Sequence, residues 1–339
     1  MRPRPVPPAP SYTVVVIEQE LRGALAALVD GLPARQASAA VERLIAHYRG
    51  ETPTGAPVLR NRADAVAYAA YRMPATFAAA SAALGALAER APGWRPGDHL
   101  DIGGGTGAAV WAAAGVWEGP RTTTVLDWAE SALDLGRELA GRVPDVAGTG
   151  WQRGSLRGGA PRLAPADLVT VSYVLGELEP ADRAAVVEAA AGAARDAVVL
   201  VEPGTPDGYL RIREARDALL AAGLTVLAPC PHDGTCPVVV GQDWCHFAVR
   251  VARSSLHRQV KGGELAYEDE KYSYVAAVRH PLGDGPAASR VVRRPQQRKG
   301  QVLLDLCVRE GGLTRRTVTK RDGADTWRAA RKTDWGDAW

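Results

Sequence analysis

The first third of the chain carries a helical pattern of apolar positions. Leu, Ile and Val recur every three or four residues between positions 17 and 28, and again between 41 and 45. After a polar stretch with Pro and Gly at residues 50–60, Ala-rich sequence predicts two more helices, at residues 63–74 and about 75–90. We therefore predict a helical N-terminal region over residues 1–92.

The middle of the chain alternates short apolar runs with Ala-, Leu- and Arg-rich helical stretches. This alternation predicts a parallel, doubly wound sheet with right-handed crossovers, placed at residues 93–229. The predicted strands are residues 99–102, 123–126, 168–172, 197–201 and 225–228. The predicted helices between them are residues 128–139, 180–194 and 208–222.

The pattern changes after residue 229, where alternating positions become common. These alternations predict a separate β-rich module over residues 230–339, with a short helix near 254–261. Its predicted strands are residues 247–252, 272–278, 302–308 and 313–319.

Composition adds a broad class to this outline. Apolar residues make up 46% and charged residues 23% of the chain, which is ordinary for a globular protein. No run approaches the roughly 20 apolar residues of a membrane span, so no membrane partner is expected. The first ten residues hold five Pro and two Arg, which suits a flexible tail better than a targeting helix. We therefore expect a cytoplasmic protein.

Charge is unevenly distributed along the chain. The overall net charge is +3, but residues 248–339 hold 19 Lys and Arg against 11 Asp and Glu. A basic C-terminal part on a slightly acidic body favours a polyanionic partner such as RNA, the alternative being a solvated basic face. Four aromatic residues there are candidates for stacking on unpaired bases, or else for the core: Tyr272, Tyr274, Trp327 and Trp335.

A glycine-rich loop follows the first predicted strand and opens a helix. Its five candidate cofactor residues are Asp101, Gly103, Gly104, Gly105 and Gly107. Glycines at such a helix start let the backbone approach a ligand closely. The spacing differs from the dinucleotide pattern and resembles motif I of class I S-adenosylmethionine-dependent methyltransferases. That resemblance implies a Rossmann-like fold that binds S-adenosyl-L-methionine.

The same resemblance assigns an acidic residue after the second strand to the ribose hydroxyls. Asp127 supplies it, and a carboxylate suits the task because it accepts two hydrogen bonds at once. The acidic residue often found near the adenine is absent here, and Ser155 is its candidate replacement. Tyr173 and Glu177 are candidate catalytic residues after the fourth strand, or else core and cap residues. Whether methyl transfer occurs is therefore left open.

All four cysteines fall in the last third, as Cys230-x5-Cys236-x8-Cys245 followed by Cys307. Pro and Gly between the first two favour a chain that bends around a centre. Four thiols are the ligand count of a structural zinc or an iron–sulfur cluster, and a reducing cytosol disfavours disulfides. By this chemistry the four cysteines fit a zinc ion and an iron–sulfur cluster equally well. The alternative is that they are four unrelated buried thiols.

A set of short motifs from about residue 71 to the end resembles one family. This family comprises the methyltransferase-like assembly factors of the mitochondrial small ribosomal subunit and their bacterial relatives. The motifs lie at residues 72–76, 100–107, 173–178, 202–206, 230–237, 253–258, 270–274 and 332–339.

The resemblance implies a protein that binds small-subunit rRNA during maturation of the subunit. It also implies a [4Fe-4S] cluster on Cys230, Cys236, Cys245 and Cys307, with zinc as the alternative. We expect a monomer. Two other functions are weighed: an active rRNA methyltransferase, and a small-molecule methyltransferase with a zinc-stabilised lid.

Overall fold

The structure is a computed structural model. Predicted features at residues 1–10, 44–45, 50–60 and 254–261 lie outside the part of the chain that it describes. The described residues are 12–29, 39, 41, 62–159, 161–253 and 266–339.

Helices and strands alternate through the centre of the chain, as predicted. The helices are α1 (Tyr12–Val29), α2 (Arg62–Arg90), α3 (Ala108–Val116), α4 (Glu130–Ala140), α5 (Pro144–Ala147), α6 (Pro180–Ala193), α7 (Pro206–Ala221) and α8 (Ala324–Lys332). The strands are β1 (Asp98–Ile102), β2 (Thr122–Asp127), β3 (Gly150–Arg153), β4 (Ala166–Ser172), β5 (Ala194–Pro203), β6 (Thr225–Ala228), β7 (Phe247–Ala252), β8 (Tyr267–Val278), β9 (Ser289–Val291), β10 (Gln296–Arg298), β11 (Gln301–Val308) and β12 (Gly312–Thr319).

The larger sheet has the order β3-β2-β1-β4-β5-β8-β6, with β7 paired to β8. Strands β1 to β5 are parallel, whereas β8 runs antiparallel to β5, β6 and β7. This order with one antiparallel strand is that of a class I methyltransferase-like α/β fold, as predicted. The order reverses between β1 and β4, where such sheets bind ligands at the carboxyl ends of their strands.

The two faces of the larger sheet are both covered, as strand β5 illustrates. Ala197, Val199 and Val201 join the core beneath α2 and α3, while Val198 and Leu200 join the core beneath α6 and α7. Successive side chains of a strand point to opposite faces, so a strand buried on both sides becomes a continuous apolar run. This is why the apolar runs of the sequence identified these strands.

Three features of the structure differ from the sequence pattern. Strands β7 and β8 lie in the larger sheet, so the boundary predicted at residues 229–230 does not separate the two sheets. Residues 62–90 form one helix with Pro74 inside it, because a proline removes a single hydrogen bond and this helix is buried along most of its length. The four-residue strand β3 was missed because three of its residues are exposed and carry no apolar run.

A second, smaller antiparallel sheet contains β10, β11 and β12, with β9 paired to β11. Helix α8 packs on it through the buried Ala330. The last residues of the chain extend this sheet, because the N–H of Val291 donates to the carbonyl of Asp337 and the N–H of Trp339 donates to that of Ser289. The smaller sheet thereby brings Cys307 of β11 against the loop that follows β6.

Candidate functional site

The glycine loop lies at the carboxyl end of β1, where the strand order reverses. Gly103, Gly105 and Gly107 have φ values of 67°, 54° and 83°, which only glycine adopts readily. The N–H of Gly103 donates to the carbonyl of Leu126 at 2.7 Å, which ties the loop to β2. The loop therefore presents backbone N–H groups at the start of α3.

Asp127 closes the other side of the loop from the end of β2. Its Oδ2 accepts from the N–H of Gly105 at 2.9 Å, and its Oδ1 accepts from the N–H of Ala129 at 2.8 Å. Burial raises the pKa of Asp127 in spite of these hydrogen bonds. The next residue, Trp128, is 49% exposed and was not singled out from the sequence. A carboxylate and an exposed indole therefore stand together at this edge.

Ser155 lies in the loop after β3 and is exposed. Its hydroxyl stands 3.0 Å from both the N–H and the carbonyl of Arg157, so it closes its own turn. The contact between Ser155 and the adenine remains a prediction. It would have to form beside the hydrogen bonds that the hydroxyl already makes within its own turn.

Asp101 is fully buried behind the loop. Its Oδ1 accepts from the hydroxyl of Thr170 at 2.7 Å, and that hydroxyl lies 2.8 Å from Nε2 of the buried His99. Burial raises the pKa of Asp101 to about 7 and lowers the pKa of His99 to about 3. A side chain on Gly104 would meet the Asp101 carboxylate. Asp101 therefore supports the loop from behind.

Tyr173 follows β4 and has the unusual φ of 59°. Its hydroxyl donates to Oε1 of Glu270 at 3.0 Å, and Arg72 contacts the same oxygen at 3.3 Å. Burial, together with the charge of Glu270, raises the pKa of Tyr173 well above its usual value. The phenol therefore stays protonated and joins β4 to β8 and α2, which is a positioning role.

Glu177 lies near the same strand end, in a short 3-10 helix over Leu175–Glu177, and its side chain is exposed. The surface between this helix, the glycine loop and Asp127 is called the cleft. Partial burial of its carboxyl group, with repulsion from Asp127 and Glu202, raises the pKa of Glu177 to about 7. The buried Glu202 fixes this segment, since it accepts from the N–H of Leu175 at 3.0 Å and pairs with Arg211 at 2.6 Å. Of the two catalytic candidates, Glu177 is the one with the more exposed side chain.

The four cysteines come together, although they are far apart in sequence. All four line one cavity of about 50 Å³ between α7, the loop after β6, and the smaller sheet. All four are free thiols. Two polar contacts surround them: Tyr209 Oη lies 3.4 Å from the Sγ of Cys236, and His232 Nε2 lies 3.7 Å from the Sγ of Cys307.

Two buried arginines also line the four-cysteine cavity. Arg216 is 3% exposed and donates to the carbonyls of His232 and Gly234, while Arg290 is 2% exposed and donates to those of Pro229 and Gly336. In the described part of the chain no nitrogen or oxygen accepts from Nε of Arg216 or Nη2 of Arg290. The ion-pair partner of Arg216 is an exposed carboxylate, that of Asp217. Much of this buried positive charge therefore faces the thiols.

Burial dominates the titration of three of the thiols, those of Cys230, Cys245 and Cys307. It raises the pKa of Cys230 and, with repulsion from the other three thiols, raises that of Cys245 well above its usual value. It raises the pKa of Cys307 to about 12. Within the described ranges, no group of three or more His, Cys, Asp or Glu side chains is arranged to hold a metal ion. The predicted four-cysteine metal site is thus not shown, although the predicted convergence of the cysteines is.

The candidate stacking residues separate into two pairs. Tyr272 and Tyr274 are 6% and 5% exposed and pack with Phe247, so they are core residues, which was the alternative to base stacking. Trp335 lies edge-on against His246. Trp327 is half-buried and lines a groove beside α8. Strand β8 is buried on both faces over residues 272–278, and the sequence did not indicate this.

No helix in the described part of the chain is both long and apolar enough to cross a membrane. The monomeric state stays a prediction.

Comparison with protein families gives a match over residues 62–339 to the family described as mitochondrial small ribosomal subunit Rsm22. A human protein, "Ribosome assembly protein METTL17, mitochondrial", is 29% identical over 289 residues, which are 80% of this chain and 61% of that protein. The yeast Saccharomyces cerevisiae protein "Ribosome assembly protein RSM22, mitochondrial" is 26% identical over 179 residues, covering 34% of this chain and 28% of that one. The chain thus spans less than two thirds of these relatives.

Solved structures show a looser likeness. A putative RNA methyltransferase from Pyrococcus horikoshii has a TM-score of 0.38 at 15% identity, covering 58% of this chain and 81% of its own. Magnesium protoporphyrin IX methyltransferase from Synechocystis has a TM-score of 0.40 at 13% identity, covering 62% and 85%. At these scores the fold assignment rests on strand order and not on the likeness.

The expected cytoplasmic location is wrong by these comparisons. The matching family and both relatives are described as mitochondrial. The expectation depended on the first ten residues, which lie outside the described part of the chain.

Proposed function

Because this chain belongs to the mitochondrial small ribosomal subunit Rsm22 family, we propose that it is an assembly factor of the small ribosomal subunit. The single observation that supports this most is the family match over residues 62–339, which includes both sheets and all four cysteines. The names of the human and yeast relatives point the same way. In this proposal the chain engages the maturing subunit through its rRNA.

The glycine loop is the proposed site of S-adenosyl-L-methionine, whose sulfonium makes its methyl group transferable. Gly103, Gly105 and Gly107 would line its amino-acid end, and Asp127 would accept from its ribose hydroxyls. Trp128 offers an exposed surface for its adenine, in place of the absent acidic residue. The carboxylates around the cleft suit a cationic ligand, because opposite charges attract across a partly desolvated site.

The four-cysteine cavity is the proposed site of an iron–sulfur cluster. Four thiolates around a cluster carry net negative charge, and Arg216 and Arg290 are placed to offset it. Without that negative charge two arginines would lie buried beside neutral thiols, an arrangement that costs several kcal/mol (roughly, per uncompensated ion). Four thiolates around a single zinc ion would carry net negative charge as well, so zinc stays the alternative occupant of this cavity.

A catalytically active rRNA methyltransferase is the second candidate, favoured by Glu177. Its carboxyl group interacts electrostatically with Asp127, and a pKa of about 7 suits a general base at neutral pH. Tyr173 does not serve this purpose because its phenol stays protonated and bonded to Glu270.

Ribosome profiles from cells that lack the chain test the assembly function. We expect a deficit of small subunits on sucrose gradients, restored by the wild-type chain and by a Glu177→Gln variant. Normal profiles without the chain would contradict an assembly role. If Glu177→Gln fails to restore the deficit and one rRNA methylation disappears in both strains, the active methyltransferase is favoured instead.

A further inference from the structure

A groove of about 580 Å³ lies beside α8 on the outer side of the smaller sheet. It places one tryptophan among basic side chains, a combination that the proposed function has not yet used. Its lining residues are Lys320, Ala324, Trp327, Arg328, Arg331 and Lys332.

Positive charge in this groove is largely uncompensated. Arg328 pairs with Asp325 at 2.9 Å on the exposed side of α8. Lys320, Arg331 and Lys332 make no ion pair with any residue in the described part of the chain. Three free cations on one short stretch of surface attract a polyanion.

Trp327 is held in place within that positive surface. It packs against the core of the smaller sheet, which includes Val302 and Leu304, and is only half-buried. Trp327 and Arg331 stand four residues apart on α8 and therefore share one face of the helix. The indole is thus anchored on the smaller core and lines the same groove as Arg331.

We propose that this groove binds an unpaired segment of RNA. A base stacks on Trp327, and the phosphates on either side lie against Lys320, Arg331 and Lys332. An unpaired base leaves its faces free to stack, whereas a duplex presents only phosphates and base edges. The inference rests on the proposed function, which supplies an RNA partner, and adds the place and the single-stranded form.

Binding of a fluorescein-labelled 12-nucleotide oligouridylate to the full chain, followed by fluorescence anisotropy at several salt concentrations, tests this site. Trp327→Ala is expected to weaken binding about 5- to 150-fold, from the stacking of one base. The double variant Arg331→Gln/Lys332→Gln is expected to flatten the log–log salt dependence by about 1.4. Arg162→Gln removes an equally exposed cation outside the groove and is expected to match the wild type.

Trp327 also supports the smaller core, so Trp327→Phe accompanies the alanine variant. Phenylalanine keeps an aromatic face and is expected to retain most of the affinity. If the wild type binds the oligonucleotide and all groove variants bind equally well, the groove is wrong while the proposed function stands. If the wild type binds no RNA, the proposed RNA partner itself is wrong. A polyglutamate peptide or an RNA duplex that binds as tightly as the oligouridylate overturns base stacking, and the former points to an acidic protein segment.

Discussion

The two candidate ligand sites have opposite electrostatic character. The cleft at the glycine loop is surrounded by carboxylates whose pKa values are raised, those of Asp101, Asp127 and Glu177. The four-cysteine cavity instead has two buried arginines, Arg216 and Arg290, beside its thiols. The proposed occupants match this difference, with a cationic cofactor in the first site and an anionic cluster in the second.

The difference extends to how each site is built. The cleft comes from short segments at the ends of neighbouring parallel strands, so one strand order assembles it. The cavity joins the loop after β6 to β9, β11 and the chain terminus, and depends on contacts between two sheets. Damage to the contacts between the sheets should therefore affect the cavity and leave the cleft intact.

The largest expected effect comes from Arg290→Met. This change removes a buried charge and leaves the carbonyls of Pro229 and Gly336 without their donor. We expect a loss of about 3–5 kcal/mol in the free energy of unfolding, together with lower metal content. Urea denaturation and metal analysis measure these. Arg309→Met, at an exposed arginine that also donates to a carbonyl, is expected to change stability by about 0.5 kcal/mol or less. If both variants lose the same stability and the same metal content, Arg290 does not stabilise the cavity in the way proposed.

Asp101→Asn is expected to expose a pH dependence that the wild type partly cancels. The pKa of Asp101 is raised to about 7 in the folded state, so its contribution to stability falls as pH rises from about 4 to 7. The pKa of His99 is lowered to about 3, so its contribution rises as pH rises from about 3 to 6.5. Without Asp101 the His99 effect remains alone.

Denaturation of this variant at pH 4.5 and pH 6.5 checks the sign. Its free energy of unfolding should rise more steeply with pH than that of the wild type, by about 1 kcal/mol or more per pH unit. Asp134→Asn, at an exposed carboxylate paired with Arg137, serves as the control. If the free energy of unfolding changes equally with pH in Asp101→Asn and in the wild type, burial of Asp101 and His99 does not control this pH dependence.

Gly104→Ala is expected to damage the cleft and spare the cavity. The added Cβ would meet the Asp101 carboxylate and the side chain of Val125, for a cost of about 1–3 kcal/mol in stability. Binding of S-adenosylhomocysteine by calorimetry should weaken, while the metal content stays unchanged. Gly93→Ala has open space at its Cβ and is expected to behave as wild type. Loss of metal in Gly104→Ala would show that the two sites are not independent.

Sequence patterns predict the cleft better than the cavity. Each strand of the parallel sheet is a local apolar run, and the glycine loop is continuous, so Asp101 and Asp127 were found where they lie. The cysteines were identifiable by residue type alone. Arg216 and Arg290 were missed because an arginine in a helix or strand normally reaches solvent, and only packing of the two sheets buries them. Trp128 was missed because nothing in its neighbours distinguishes an exposed indole from a buried one.

The central claim is that the four-cysteine cavity holds an anionic iron–sulfur cluster opposite in charge to the cofactor cleft. Iron, zinc and acid-labile sulfide in the full chain purified without oxygen test it most directly. We predict about four iron and four sulfide per chain, lost when Cys307 is changed to Ser. One zinc per chain with no iron or sulfide would contradict it.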